Sequence, residues 1–136
     1  MDGSVITIEL DGGRTGFRPG ELLTGSVAWR LERPAKDLEV RLFWFTQGKG
    51  TQDVRVTAIR RVDVIGLQGR GGFRFKLPDS PYSFSAKLIS LAWAIEAVAQ
   101  PGERSARVEI VIAPEGKEVR LDADPLAPSV PWPNRR

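Results

Sequence analysis

The chain has 136 residues, no cysteine and no histidine, and 20 Lys and Arg against 17 Asp and Glu, a net charge of +3. Without cysteine there is no disulfide, no thiolate metal site and no thiol nucleophile; without histidine there is no Ser-His-Asp or Cys-His triad, no HExxH zinc site and no imidazole proton relay. What remains suits one domain, large enough to bury roughly two thirds of its extended surface.

The opening residues MDGSVITIEL carry no basic segment ahead of an apolar one, and no run approaches the ~18 apolar residues of a membrane span. The expectation is a cytoplasmic protein with no membrane span. The sequence pI of 9.7 fits a nucleic-acid binder, but the arginines are scattered instead of concentrated, so nucleic acid is not the expected partner.

Val5 to Leu10 alternates, with Ile6, Ile8 and Leu10 on one face, and reads as a first strand that Asp11-Gly12-Gly13 ends. Arg18-Pro19-Gly20-Glu21 places proline and glycine where a type II turn needs them. The next strand, Leu22 to Glu32, sets Leu23, Val27, Trp29 and Leu31 inward, with Gly25 marking a bulge or a close backbone approach. From Leu38 to Thr46 the inner set is Leu38, Val40, Leu42 and Trp44 and the outer set Glu39, Arg41, Phe43 and Phe45.

After the loop at Gln47 to Thr51, Val54 to Ile59 and Val62 to Ile65 form one bent strand or two short ones, broken at Arg60-Arg61. Leu67 to Gly72 is expected to turn the chain, and Phe73, Phe75 and Leu77 then face inward. Pro78 and Pro81 cannot donate to a ladder and stop this strand. The longest apolar stretch follows: Ile89, Leu91, Trp93, Ile95 and Ala97 share one face and Ser90, Ala92, Ala94 and Glu96 the other, as in a central strand. Val108, Ile110 and Ile112 form the last strand, closed by Pro114.

No segment longer than ~10 residues has helical period, and breaks recur about every 8 to 15 residues, so the expected fold is an all-β, immunoglobulin-like antiparallel sandwich of about seven or eight strands. It occupies residues 1–114. Residues 115–136 form a proline-rich tail, with Pro125, Pro128, Pro131 and Pro133 barring a regular element from its end.

Two segments, FRPGELLTGSVAWRL (Phe17 to Leu31) and FRFKLPDSPYSFSAKLISLAWAIEAV (Phe73 to Val98), resemble the arrestin family. The first is similar to its Pro-Gly-Glu turn and following Gly-x-Val strand, the second to its strand ending in Leu-Pro, short Pro/Ser loop and strand with a large aromatic, here Trp93. The resemblance covers most of residues 5 to 113 and implies an arrestin-type sandwich acting as a non-catalytic scaffold that binds other proteins. Arrestins and the bacterial sporulation-control proteins that resemble them carry two sandwiches in tandem. Their receptor-binding and phosphate-sensing residues depend on both, and none is carried over. The tail lacks a Pro-Pro-x-Tyr motif.

Candidate sites follow from what is left. Asp53, Asp63, Asp79, Glu96, Glu103 and Glu109 are the carboxylates for a two-carboxylate hydrolase, but no motif assembles them. Asp122-Ala123-Asp124 lacks the glycine and later glutamate of an EF-hand loop, and the glycine-rich stretches at Gly48 and Gly69 lack the lysine-serine of a phosphate loop. No catalytic residue, metal or cofactor is expected. A basic strip of Arg55, Arg60, Arg61, Arg70, Arg74 and Lys76 would attract nucleic acid or an acidic partner, or serve as a charged outer face that protects an edge. The partner-binding candidates are Phe43, Phe45, Ala92, Ala94 and Val111, which share one outer face if their strands share a sheet. That face either contacts a protein partner, a second copy included, or is covered by the tail through Trp132 or by a loop. The alternative function is a small sandwich binding an acidic or carbohydrate ligand through the basic strip and aromatics such as Trp44 and Trp132.

Overall fold

The structure, a computed structural model, describes residues 3–48, 52–86, 88–101 and 104–120. Ten strands appear among them: β1 (Val5–Leu10), β2 (Gly16–Phe17), β3 (Leu22–Arg30), β4 (Asp37–Gly48), β5 (Val54–Asp63), β6 (Gln68–Lys76), β7 (Phe84–Ser85), β8 (Ile89–Gln100), β9 (Ser105–Ile112) and β10 (Val119–Arg120). Seven have six residues or more, and β2, β7 and β10 have two each. They form an all-β sandwich. One sheet runs β1-β3-β6; the other runs β10-β7-β8-β4-β5, with β9 also on β8 and β2 on β9. Long neighbours pair antiparallel, while β2 with β9 and β10 with β7 pair in parallel.

Alternation along the strands builds the core. Leu23, Val27 and Trp29 of β3 and Phe73 and Phe75 of β6 face Leu38, Val40 and Leu42 of β4 and Leu91, Trp93, Ile95 and Ala97 of β8 in one buried cluster. Each of the larger aliphatic and aromatic side chains contributes about 1.5–3 kcal/mol when fully buried. Trp93 is fully enclosed, and its Nε1–H donates to the Pro81 carbonyl at 2.9 Å, so the indole carries no unpaired donor into the core. Ser83 performs the same service for backbone. Its Oγ accepts from Ile112 N, its N–H donates to Ile112 O, and its carbonyl accepts from Val119 N, tying β9 and β10 to the start of β7.

The turn at Arg18 to Glu21 closes with Glu21 N–H to Arg18 O at 3.2 Å and Gly20 at φ 79°, as proline followed by glycine predicts. Two expectations are resolved differently, at Leu67 to Gly72 and at Arg60-Arg61, and at Gly25 one of the two alternatives is decided. Leu67 to Gly72 is not a turn: from Gln68 onward it is β6, in continuous register with β3, and the turn lies just before it at Gly66. The glycines there make room for neighbours. A Cβ at Gly69 would stand 2.7 Å from Trp29 Cζ2, and one at Gly71 would collide with Val62 Cγ1. Gly25 likewise marks a close approach and no bulge, since its register is unbroken and a Cβ would lie 2.6 Å from the Glu9 carbonyl. Arg60-Arg61 is no break either; β5 is one strand, and its irregularity is a bulge at Thr57 opposite Leu42 and Phe43. Beyond Pro114, Val119–Arg120 joins the large sheet, and residues 121–136, with Asp122, Asp124 and Trp132, lie outside the described residues.

Candidate interaction surface

The outer face of the large sheet follows from register. Phe43 lies opposite Ala94 of β8 and Val56 of β5; Phe45 lies opposite Ala92 and Val54. Phe43, Phe45 and Ala94 form a second buried cluster with Ala92 against it, the two rings 5.9 Å apart. Val111 follows the inward Ile110 and so faces the same way, but it does not join the cluster. Small residues on β8 give the two rings room to lie down.

The face is less open than an unpartnered sheet would be, for Phe43 is only 4% exposed and Phe45 8%. Arg107 of β9 covers both, its guanidinium carbon 4.9 Å from the Phe43 ring centre and 5.6 Å from that of Phe45. The exposed apolar surface lies beside them on β5, where Val54, Val56 and Ile59 are 64, 46 and 43% exposed. The Thr57 bulge arranges this. Without the extra residue Ile59 would turn inward with Arg55; with it, Val54, Val56, Ile59, Arg61 and Asp63 all face out.

The other end of this face is a charge lattice. Arg61 reaches Asp37 at 3.6 Å and Glu39 at 3.3 Å, Arg41 reaches Glu39 at 2.7 Å and Glu96 at 3.9 Å, and Arg107 reaches Glu96 at 3.8 Å. Opposite charges at facing positions on neighbouring strands suit an antiparallel sheet. Arg107 thus joins the lattice to the aromatic pair.

The basic residues divide between surfaces. Arg60, next to Arg61 in a strand, faces the opposite way: its Nε donates to the Arg74 carbonyl at 3.1 Å and its guanidinium lies 5.0 Å from the Phe75 ring centre, bridging the seam between the sheets. Arg70, Arg74 and Lys76 alternate on the outer face of β6, where Arg70 pairs with Glu9 at 2.9 Å. Arg55 is exposed on the seam side of β5, opposite Trp44. Arg60 therefore meets β6 at the Arg74 carbonyl, Arg55 lies on the seam side of β5, Arg74 and Lys76 lie on the outer face of β6, and Arg61 is drawn into the lattice. Trp44 is half-buried against the core and offers no stacking platform.

The carboxylates do not converge: Glu96 is held by two arginines, Asp53 and Asp63 cap opposite ends of β5, Glu109 lies on β9, and Glu103 lies outside the described residues. No cluster of metal-binding side chains occurs among the described residues, and none of their helices is long and apolar enough to cross a membrane. A cleft of about 700 Å³ opens between the Arg18 turn and the turn after β9, lined by Arg14, Phe17, Arg18, Glu21, Glu115 and Lys117. Its charges nearly balance. Arg14 is already committed to Glu21, to the Gly16 carbonyl and to the Phe17 ring face, and the Glu21 carboxyl is drawn down to about 2 by that guanidinium and by the Arg18 N–H.

Sequence reasoning found the aromatic pair and its small neighbours. It missed Arg107 and the exposed row on β5; a signal for the second existed in the β-branched pair Val54 and Val56, but the bulge that brings Ile59 round to them has none.

No family model matches the chain, and no curated protein is similar to it. Among solved structures it is similar to Spo0M, a sporulation control protein from Bacillus subtilis, with a TM-score of 0.60 and 18% identity over 81% of this chain and 49% of that one. A beta-glucosidase from Listeria innocua aligns at a TM-score of 0.45 and 13% identity, over 86% of this chain and 17% of the enzyme. The chain thus spans about half the length of Spo0M. At this identity the likeness concerns the fold alone, an arrestin-like β-sandwich.

Proposed function

We propose that this domain is a non-catalytic, arrestin-like interaction module that binds a protein partner through the apolar end of the large sheet's outer face. The observation that carries the reading is the row of exposed Val54, Val56 and Ile59 beside the Phe43–Phe45 pair, a contiguous apolar surface on a sheet whose other end is saturated with ion pairs. The scattered carboxylates support the non-catalytic part. The likeness to Spo0M, a sporulation control protein, agrees with it. A second copy of the chain is one partner to test.

A photoreactive residue placed at position 56, in cells making the protein, tests this directly. Discrete cross-linked species are expected, of doubled mass for a second copy or of another mass for a different protein. The same residue at Thr7, on the outer face of the small sheet, is expected to give none. Identical patterns from both positions, or no product from position 56, would remove the reading.

A further inference from the structure

We propose that the free edge of β5 receives an extended acidic segment of a partner protein as an additional strand. The proposal rests on the interaction reading above and names the chemistry of the partner. Among the described residues β5 pairs with β4 alone, so no strand is bonded along the other side of this ten-residue strand, where Arg60 Nη1 reaches the Ile59 carbonyl at 2.9 Å. Such edges recruit strands unless blunted by charge. Here the blunting is largely spent: Arg61 is engaged by Asp37 and Glu39, and Arg60 leans across the seam onto Phe75 and the Arg74 carbonyl.

The side chains beside the edge select the occupant. Outward lie Val54, Val56 and Ile59; on the seam side of β5 lies Arg55, and on the outer face of β6, which Arg60 joins to β5, lie Arg74 and Lys76, and Arg55, Arg74 and Lys76 have no ion pair among the described residues. An incoming strand alternates its side chains between those two environments. One that alternates β-branched apolar residues with Asp or Glu meets apolar surface on one side and cations on the other, with backbone hydrogen bonds supplying affinity, as in strand addition generally. A second copy of β5 fits worse, because it would set Arg55, Arg60 and Arg61 against their own kind. Nucleic acid would use the cations but leave the valine row in water.

The test uses the isotope-labelled full chain and a short peptide alternating valine and glutamate. Expected are amide shifts and hydrogen-exchange protection concentrated between residues 54 and 63, with affinity falling as salt rises. The double variant Arg55→Glu, Arg74→Glu, whose spectrum reports whether it is folded, should bind roughly tenfold more weakly. Equal binding of a valine–lysine peptide, equal binding of oligothymidylate at the same residues, or shifts centred elsewhere would overturn the proposal. If the β5 amides stay unmoved while cross-links from position 56 persist, the edge proposal falls and the interaction face stands.

Discussion

Arg107 lies over Phe43, with its guanidinium carbon 4.9 Å from the ring centre, while the same group reaches Glu96 at 3.8 Å. One side chain thus closes the aromatic pair from solvent and anchors the charge lattice beside it. Arg107→Ala removes a partly exposed cation–π contact and a surface ion pair, together worth about 1 kcal/mol. It also uncovers two phenylalanines on a face that is already apolar at β5. Urea unfolding should show the loss, and light scattering should show increased self-association relative to wild type. Unchanged mass across concentration would mean that Arg107 does not gate the face.

Gly71 of β6 is required by what Val62 occupies, for a Cβ at Gly71 would overlap the Val62 Cγ1. Alanine gains a little by restricting the unfolded chain, but overpacking a stiff β-branched neighbour costs about 1–3 kcal/mol. Gly71→Ala should therefore destabilise by about 1–2 kcal/mol. The effect should largely vanish in the background of Val62→Ala, where the space is vacant. A double-mutant cycle with no coupling would show that the glycine answers to something else.

That pair also marks where the sequence stops being legible. Inward sets such as Leu23, Val27 and Trp29, or Leu91, Trp93 and Ile95, follow from alternation because each depends only on its own strand and one apolar layer. Gly69, Gly71 and Gly72 read locally as a turn, and nothing near them says otherwise. The reason they sit in a strand is their pairing with β3, which sets Gly69 against Trp29, forty residues away in sequence. Arg60 and Arg61 show the converse, since strand geometry alone sends neighbours to opposite faces; a single basic strip required the break that the bulge at Thr57 makes unnecessary. The cover over the aromatics was hidden for the same reason as the glycines: Arg107 and Phe43 meet across two strand pairings, from β4 through β8 to β9.

Trp93 has no exposed surface, and its indole N–H is satisfied by the Pro81 carbonyl. Trp93→Phe removes the donor, strands a carbonyl near the core and leaves part of the indole volume empty. These losses sum to about 2–4 kcal/mol, enough to lower the thermal midpoint by roughly ten degrees or more in a chain of this size. Calorimetry would check it. A drop of only a degree or two would mean that water or repacking replaces the lost contact.

Glu21 provides a pH-dependent element at the Arg18 turn. Its carboxyl titrates at about 2 in place of 4.5, first because Arg14 donates to it and then because the Arg18 N–H does. A depressed folded value means that the unfolded chain binds the proton first as pH falls. The contribution is therefore complete above about 4.5 and is lost progressively between there and 2. It is modest, because the Arg14 and Glu21 side chains are 48 and 29% exposed and solvent screens the pair. Comparing denaturant midpoints of wild type and Glu21→Gln from pH 7 down to 2, the curves should be separated and parallel above pH 5, then converge toward pH 2. Added salt should narrow the gap at neutral pH. Curves that stay parallel throughout would show that the carboxylate's charge contributes nothing and that the variant acts through the shape of the turn.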